Sequence, residues 1–213
     1  MRTDDLVALL ATEAQPVDAG APRRRFALAA VVGLVLALLL MLWLLGLNPR
    51  LAAYALLPMF WVKLAFGGLV AAAAAVVLHR QARPGVRLAW TPLALAAPFV
   101  GIWALGLIWL LNLPPSERMA AWMGESWEVC PLYITVLSAP AFVGGLLLMR
   151  SMAPTRPTLA GAVAGLWAGG IGAFAYALHC PELAAPFLAS WYVLGVLIPT
   201  AAGALLGARL LRW

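Results

Sequence analysis

Six long apolar stretches occupy most of this 213-residue chain and leave no room for a folded domain outside a membrane. They run from about Phe26 to Leu47, Pro58 to Leu78, Leu88 to Leu111, Pro131 to Met149, Leu159 to Leu178 and Pro186 to Leu206. Each is close to the ~20 residues a helix needs to cross ~30 Å of hydrocarbon. The runs are too long, and too uniformly apolar, for the alternating strands of a barrel. Only 10% of the residues are charged and 65% are hydrophobic, whereas a soluble domain carries about 25% charged residues. That balance excludes both a water-soluble globule and a disordered chain. The expected fold is an all-α integral membrane protein: a six-transmembrane-helix bundle over residues 26–213, preceded by a short amphipathic helix within residues 1–25.

The connections between spans are short, which favours three helical hairpins packed as a bundle. Placing the N-terminus in the cytoplasm puts eleven arginines on that side, among them Arg23, Arg24, Arg25, Arg80 and Arg150. The other side keeps two, Arg50 and Arg118. This bias predicts a multi-pass protein with both termini inside. The net charge of +6 is therefore topological and does not point to nucleic acid. An acidic segment precedes the first span, so no cleavable signal peptide is expected. Gly161, Gly165 and Gly169 repeat every four residues on the fifth span, and Gly203 and Gly207 do so on the sixth. Such spacing lets helix backbones approach closely, by internal packing or by self-association, and internal packing is the simpler reading.

Polar residues near the spans are few. Lys63 lies about a turn into the second span, near the outer surface; it either snorkels to the headgroups or pairs with an outer glutamate or ligand site. Cys130 starts the fourth span and Cys180 ends the fifth, so both lie at the outer surface at one end of a hairpin. His179, Glu128 and Glu182 are their sequence neighbours. Two thiolates with an imidazole could hold a thiophilic ion such as Cu(I), Zn(II) or Cd(II), giving Cys130, Cys180 and His179 as candidate ligands. The same pair could close a disulfide in an oxidising compartment. Each cysteine alone is more simply a small buried hydrophobe. No CxxC motif exists, which argues against a disulfide oxidoreductase.

Thr3 to Ala14 reads as a short helix with Thr3 at its N-cap and Asp4 and Asp5 in its first turn. Leu6, Leu9 and Leu10 form a narrow apolar stripe at helical spacing. An anionic inner leaflet would repel this acidic helix, so docking into a groove on a cytoplasmic protein fits better. Gln15 to Pro22 reads as a tether.

Met1-Arg2-Thr3-Asp4-Asp5-Leu6-Val7, then Leu9-Leu10-Ala11 and Pro16-Val17, resembles the opening of the NrsF family of bacterial membrane anti-sigma factors. The likeness continues through six spans, Phe60-Trp61-Val62-Lys63, Cys130-Pro131 and His179-Cys180 with Glu182. The resemblance implies an inner-membrane protein that sequesters an extracytoplasmic-function sigma factor. It also implies that Cys130 and Cys180 are the sensing thiols, and that Asp4, Asp5, Leu6, Leu9 and Leu10 lie in the sigma-binding segment. Glu128, Glu182 and Lys63 are expected around the thiols. No obligatory cofactor is expected; a thiophilic metal (Cu, Zn or Cd) would act as signal. The alternative is a small membrane metal-handling or transport protein with the cysteines as its entry site. No hydrolase, kinase or oxidoreductase constellation is present, so an enzyme is not expected.

Overall fold

The computed structural model describes residues 3–12, 20–81 and 90–212. In chain order the helices are α1 (Thr3–Thr12), α2 (Ala21–Leu44), α3 (Leu51–Tyr54), α4 (Pro58–Gln81) and α5 (Thr91–Asn112). They continue with α6 (Pro115–Met123), α7 (Cys130–Arg150), α8 (Pro157–Tyr176), α9 (Ala185–Phe187) and α10 (Val193–Leu210). A five-residue π turn, Leu188–Tyr192, joins the last two. There is no strand among the described residues. Six helical runs are long and apolar enough to cross a membrane: α2, α4, α5, α7, α8 and the combined run Ala185–Leu210. Glu13, most of the expected tether, Arg83, Arg87 and Leu88 lie outside the described residues, as do the side chains of Leu6, Leu9 and Leu10.

Proline marks the start of most helices, standing in the first turn of α2, α5, α6, α7, α8 and α9. Its fixed φ suits that turn, and its missing N–H has no partner to lose there. Pro98, Pro140 and Pro199 lie inside helices, which membrane-length helices tolerate because neighbours satisfy the freed carbonyls.

The bundle is centred on α8, its most buried span, which packs against α10, α7 and α4. Glycine decides the closest approaches. The α8 and α10 stripes face each other: a Cβ on Gly161 would strike the Gly203 carbonyl, and one on Gly207 would lie 2.6 Å from the Pro157 carbonyl. Internal packing thus uses both stripes. A second backbone contact locks α4 to α8, where a Cβ on Gly67 would lie 2.6 Å from the Phe174 nitrogen and one on Gly170 2.6 Å from the Ala71 nitrogen.

Of the three expected sequential hairpins, the packing forms only the last, α8 with α10. Helix α2 packs chiefly on α7, with Gly33 against Ala141, rather than on its sequence neighbour α4. Helix α5 packs on α4 and on α9 with the π turn. Short loops restrict which helices can be neighbours, but complementary small-residue faces select among them.

Candidate functional site

Cys130 is the first residue of α7, its N–H bonded to the Ser126 carbonyl at 3.0 Å. Helix α8 ends at Tyr176 and tightens through one further turn, so the Cys180 N–H reaches the Tyr176 carbonyl at 3.0 Å. Pro181 follows, has no N–H to continue the helix, and sends the chain extended towards α9. Two separate proline-defined helix ends therefore bring the cysteines to the same end of the bundle. Both are wholly buried and neither is disulfide-bonded.

Lys63 is wholly buried beside them, so it does not snorkel. Its ammonium donates to the Cys180 carbonyl at 2.7 Å and to the Glu182 carbonyl at 3.1 Å. The expected glutamate contact is therefore with the backbone of Glu182, and Lys63 pairs with no carboxylate among the described residues. Both thiols and the Glu182 carboxylate are within its electrostatic reach. Two tyrosines complete the cluster. Tyr176 interacts with Cys180 and Ser126, and Tyr192 is wholly buried against the Cys180 thiol without a partner at hydrogen-bonding geometry.

Glu182 holds the cover of this cluster. One carboxylate oxygen, Oε1, accepts the Glu125 N–H at 2.7 Å, the Ser126 N–H at 3.3 Å and the Ser126 hydroxyl at 3.4 Å. Gly124 makes that seat possible. Its backbone (φ 60°, ψ −168°) lies in a region that is essentially glycine-only, and a Cβ there would lie 2.8 Å from the Glu182 carboxyl and 2.7 Å from the Phe187 ring. Tryptophans clasp the cover from outside. Trp122 donates to the Ser190 hydroxyl at 2.7 Å, Trp191 donates to the Trp122 carbonyl at 3.0 Å, and the Trp127 and Trp191 rings are 5.2 Å apart.

The remaining expected residues are placed differently. The His179 ring Nδ1 faces the Gly46 carbonyl at 3.0 Å and its plane lies against Tyr176. A carbonyl can only accept, so Nδ1 carries the proton and donates. Among the described residues no group of three or more His, Cys, Asp or Glu is arranged to hold a metal ion, so His179 is not gathered with the two thiols into a ligand set. Glu128 is exposed and stands apart from the cluster. Asp4 and Asp5 lie exposed in the first turn of α1, whose helix begins at Thr3 itself, and Leu6, Leu9 and Leu10 lie on the same short helix.

Sequence reasoning overlooked Tyr176, Tyr192, Asn48 and the π turn. Tyr176 was within reach, because it precedes Cys180 by four residues, the helical spacing that puts two side chains on one face. Tyr192 was not, because its direction depends on the π turn, and nothing in Leu188-Ala189-Ser190-Trp191-Tyr192 distinguishes a π turn from an α turn.

Six helices long and apolar enough to span a membrane, with a cluster of two thiols, a lysine and two tyrosines buried at one end, fit a multi-pass helical membrane protein. The chain matches the family described as NrsF, negative regulator of sigma F, over residues 10–213. It is 47% identical over 213 residues, the full length of both chains, to a probable anti-sigma-F factor NrsF from Azospira oryzae. It is 43% identical over 217 residues, again full length for both, to the anti-sigma-F factor NrsF of Caulobacter vibrioides. No solved structure matches it. The chain belongs to the NrsF family, a regulatory family of negative regulators of sigma F.

Proposed function

We propose that this chain is a transmembrane anti-sigma factor of the bacterial inner membrane, with both termini in the cytoplasm. Residues 1–25 hold an extracytoplasmic-function sigma factor, and Cys130 and Cys180, facing the periplasm, release it when they are oxidised or take up a thiophilic metal. The observation that carries the reading is the convergence of both buried thiols, from two helix ends, on the Lys63 ammonium. A bundle with this composition gains nothing from a buried ammonium unless its environment uses the charge, because taking it out of water costs several kcal/mol.

Docking of α1 in a groove of the sigma factor fits its acidic first turn and its leucine spacing. Co-purification from membranes tests both halves. Deleting residues 3–14 is expected to leave the sigma factor free; retention by the truncated chain would sink the docking role. Replacing Cys130 and Cys180 with serine is expected to preserve sequestration and abolish release by metal or oxidant. An undiminished response would make the cysteines structural.

A further inference from the structure

The turn that carries Cys180 is held from two sides, and the two holds differ in kind. On one side Lys63 grips the Cys180 and Glu182 carbonyls from α4, a helix locked to α8 by backbone contact at Gly67 and Gly170. That side is a fixed post. On the other side the turn is bonded to the end of α2. The Asn48 N–H donates to the Leu178 carbonyl at 3.2 Å, the Asn48 side-chain amide donates to the His179 carbonyl at 3.2 Å, and the His179 ring donates to the Gly46 carbonyl at 3.0 Å. Gly46, at φ 72°, closes α2 with its N–H on the Met41 carbonyl, so the bond from His179 falls on the capped helix end itself.

Helix α2 is loosely embedded. Its buried residues are Gly33, Ala37 and Met41, a single stripe at four-residue spacing. Shifting it disturbs little packing compared with shifting α4 or α8. At its far end, Phe26 rests against His79 of α4 (centroids 6.2 Å) and Trp167 of α8 (5.7 Å), and the chain beyond leads to the N-terminal segment. Of the helices that touch the Cys180 turn, α2 is the one continuous with that segment.

We propose that α2 is the helix that transmits the state of the thiols, and that His179 and Asn48 are the positioning residues that couple it to the Cys180 turn. A change at Cys180 moves the turn against the Lys63 post, the Gly46–His179 bond carries that movement to α2, and α2 alters how the N-terminal segment is presented. This rests on the thiol-sensing reading above. A coupling of this kind needs a differential interaction between two states, and the three bonds from 178–179 to 46–48 are where that difference would be expressed.

The test uses the full chain in lipid vesicles with its sigma factor bound, treated with diamide. The two thiols each give up a hydrogen to the N=N bond of diamide, forming the Cys130–Cys180 disulfide and the corresponding hydrazine. Two quantities are read: thiols remaining, by alkylation, and sigma factor released. His179→Phe keeps a ring against Tyr176 and removes the donor, whereas His179→Asn restores an N–H near the Nδ1 position. Asn48→Ala removes the other side-chain bond and leaves His179 in place. The expected result is equal thiol oxidation in all proteins, with release reduced about 5-fold or more in His179→Phe and Asn48→Ala and restored in His179→Asn. Wild-type release by His179→Phe and Asn48→Ala would overturn the proposal, and so would altered thiol oxidation in His179→Phe, which would place His179 in the thiol chemistry. Should the wild type itself retain the sigma factor after oxidation, the sensing reading fails and this inference falls with it. Should wild type and both donor-deleting variants release alike, only this inference falls.

Discussion

Replacing Gly124 with alanine should uncover the thiols without unfolding the bundle. The backbone there has φ 60° and ψ −168°, and a non-glycine residue in such a region costs about 1–3 kcal/mol. The new Cβ would also lie 2.8 Å from the Glu182 carboxyl and 2.7 Å from Phe187, closer than any real contact allows. Phe187 is wholly buried, so the carboxylate is the group that can yield. Its retreat breaks the bonds from Glu125 and Ser126, and a hydrogen bond to a charged group contributes about 1.5–3 kcal/mol. Counting only the shorter of those bonds, that from Glu125 at 2.7 Å, strain and lost bonding together favour the open cover by about 2.5–6 kcal/mol, a factor of roughly 10²–10⁴ in the opening equilibrium. The assay is the alkylation rate of Cys130 and Cys180 by a maleimide in vesicles, with thermal melting as control. Both thiols are wholly buried in the wild type, so the rate should rise by orders of magnitude while the melting temperature falls only modestly. An unchanged rate in a folded variant would refute the claim that Glu182 and Gly124 keep the cover closed.

Two further outcomes probe the packing. Gly161→Val drives a branched side chain into the Gly203 carbonyl of α10 and should lower stability by about 1–3 kcal/mol or more, read as a fall in melting temperature and in folded yield, whereas a change of oligomeric state with unaltered stability would move that stripe to the outside. Tyr192→Phe removes a hydroxyl that is buried without a hydrogen-bond partner, so the melting temperature should hold or rise, since an unsatisfied buried polar group costs about 1–3 kcal/mol; a clear fall would mean that the hydroxyl is bonded, with Cys180 as its partner.

How much of this was legible in the sequence depended on which physical term decided each feature. Span number and approximate limits follow from hydrophobic length, and all six apolar runs became helices of membrane length. Proline gave the helix starts directly, because its effect is local. Neighbour choice was legible only for α8 and α10, whose glycine stripes meet; α2 sits on α7 because Gly33 meets Ala141, and nothing along the chain pairs those two positions. At the site, the sequence placed both cysteines at one end, since the start of one span and the end of the next fall on the same side. It left Lys63 open between the headgroups and a ligand site, because position along a span says how deep a residue lies but not whether it faces lipid or protein; the structure buries it beside the thiols. The direction of the His179 ring was not legible for a related reason. Adjacency to Cys180 suggested a shared ligand set, yet successive residues in a turn point in different directions, and its ring turns to Gly46.

The burial of Lys63 also bears on how the proposed switch at this turn would work. An ammonium has three donors, and here two are spent on carbonyls on either side of Pro181. Those bonds hold the backbone of the turn and leave its side chains, Cys180 among them, free of the lysine's direct grip. A post that held Cys180 by its sulfur would compete with any chemistry at that atom. A post that holds the carbonyl instead lets the thiol react while the turn stays anchored, so a change at sulfur must be taken up elsewhere. The Glu182 carboxylate is committed to Glu125 and Ser126, and α8 is clamped between α4 and α10 by glycine contacts. The bonds from His179 and Asn48 to the end of α2 are the part of the frame not backed by close packing, and there the movement has room to go.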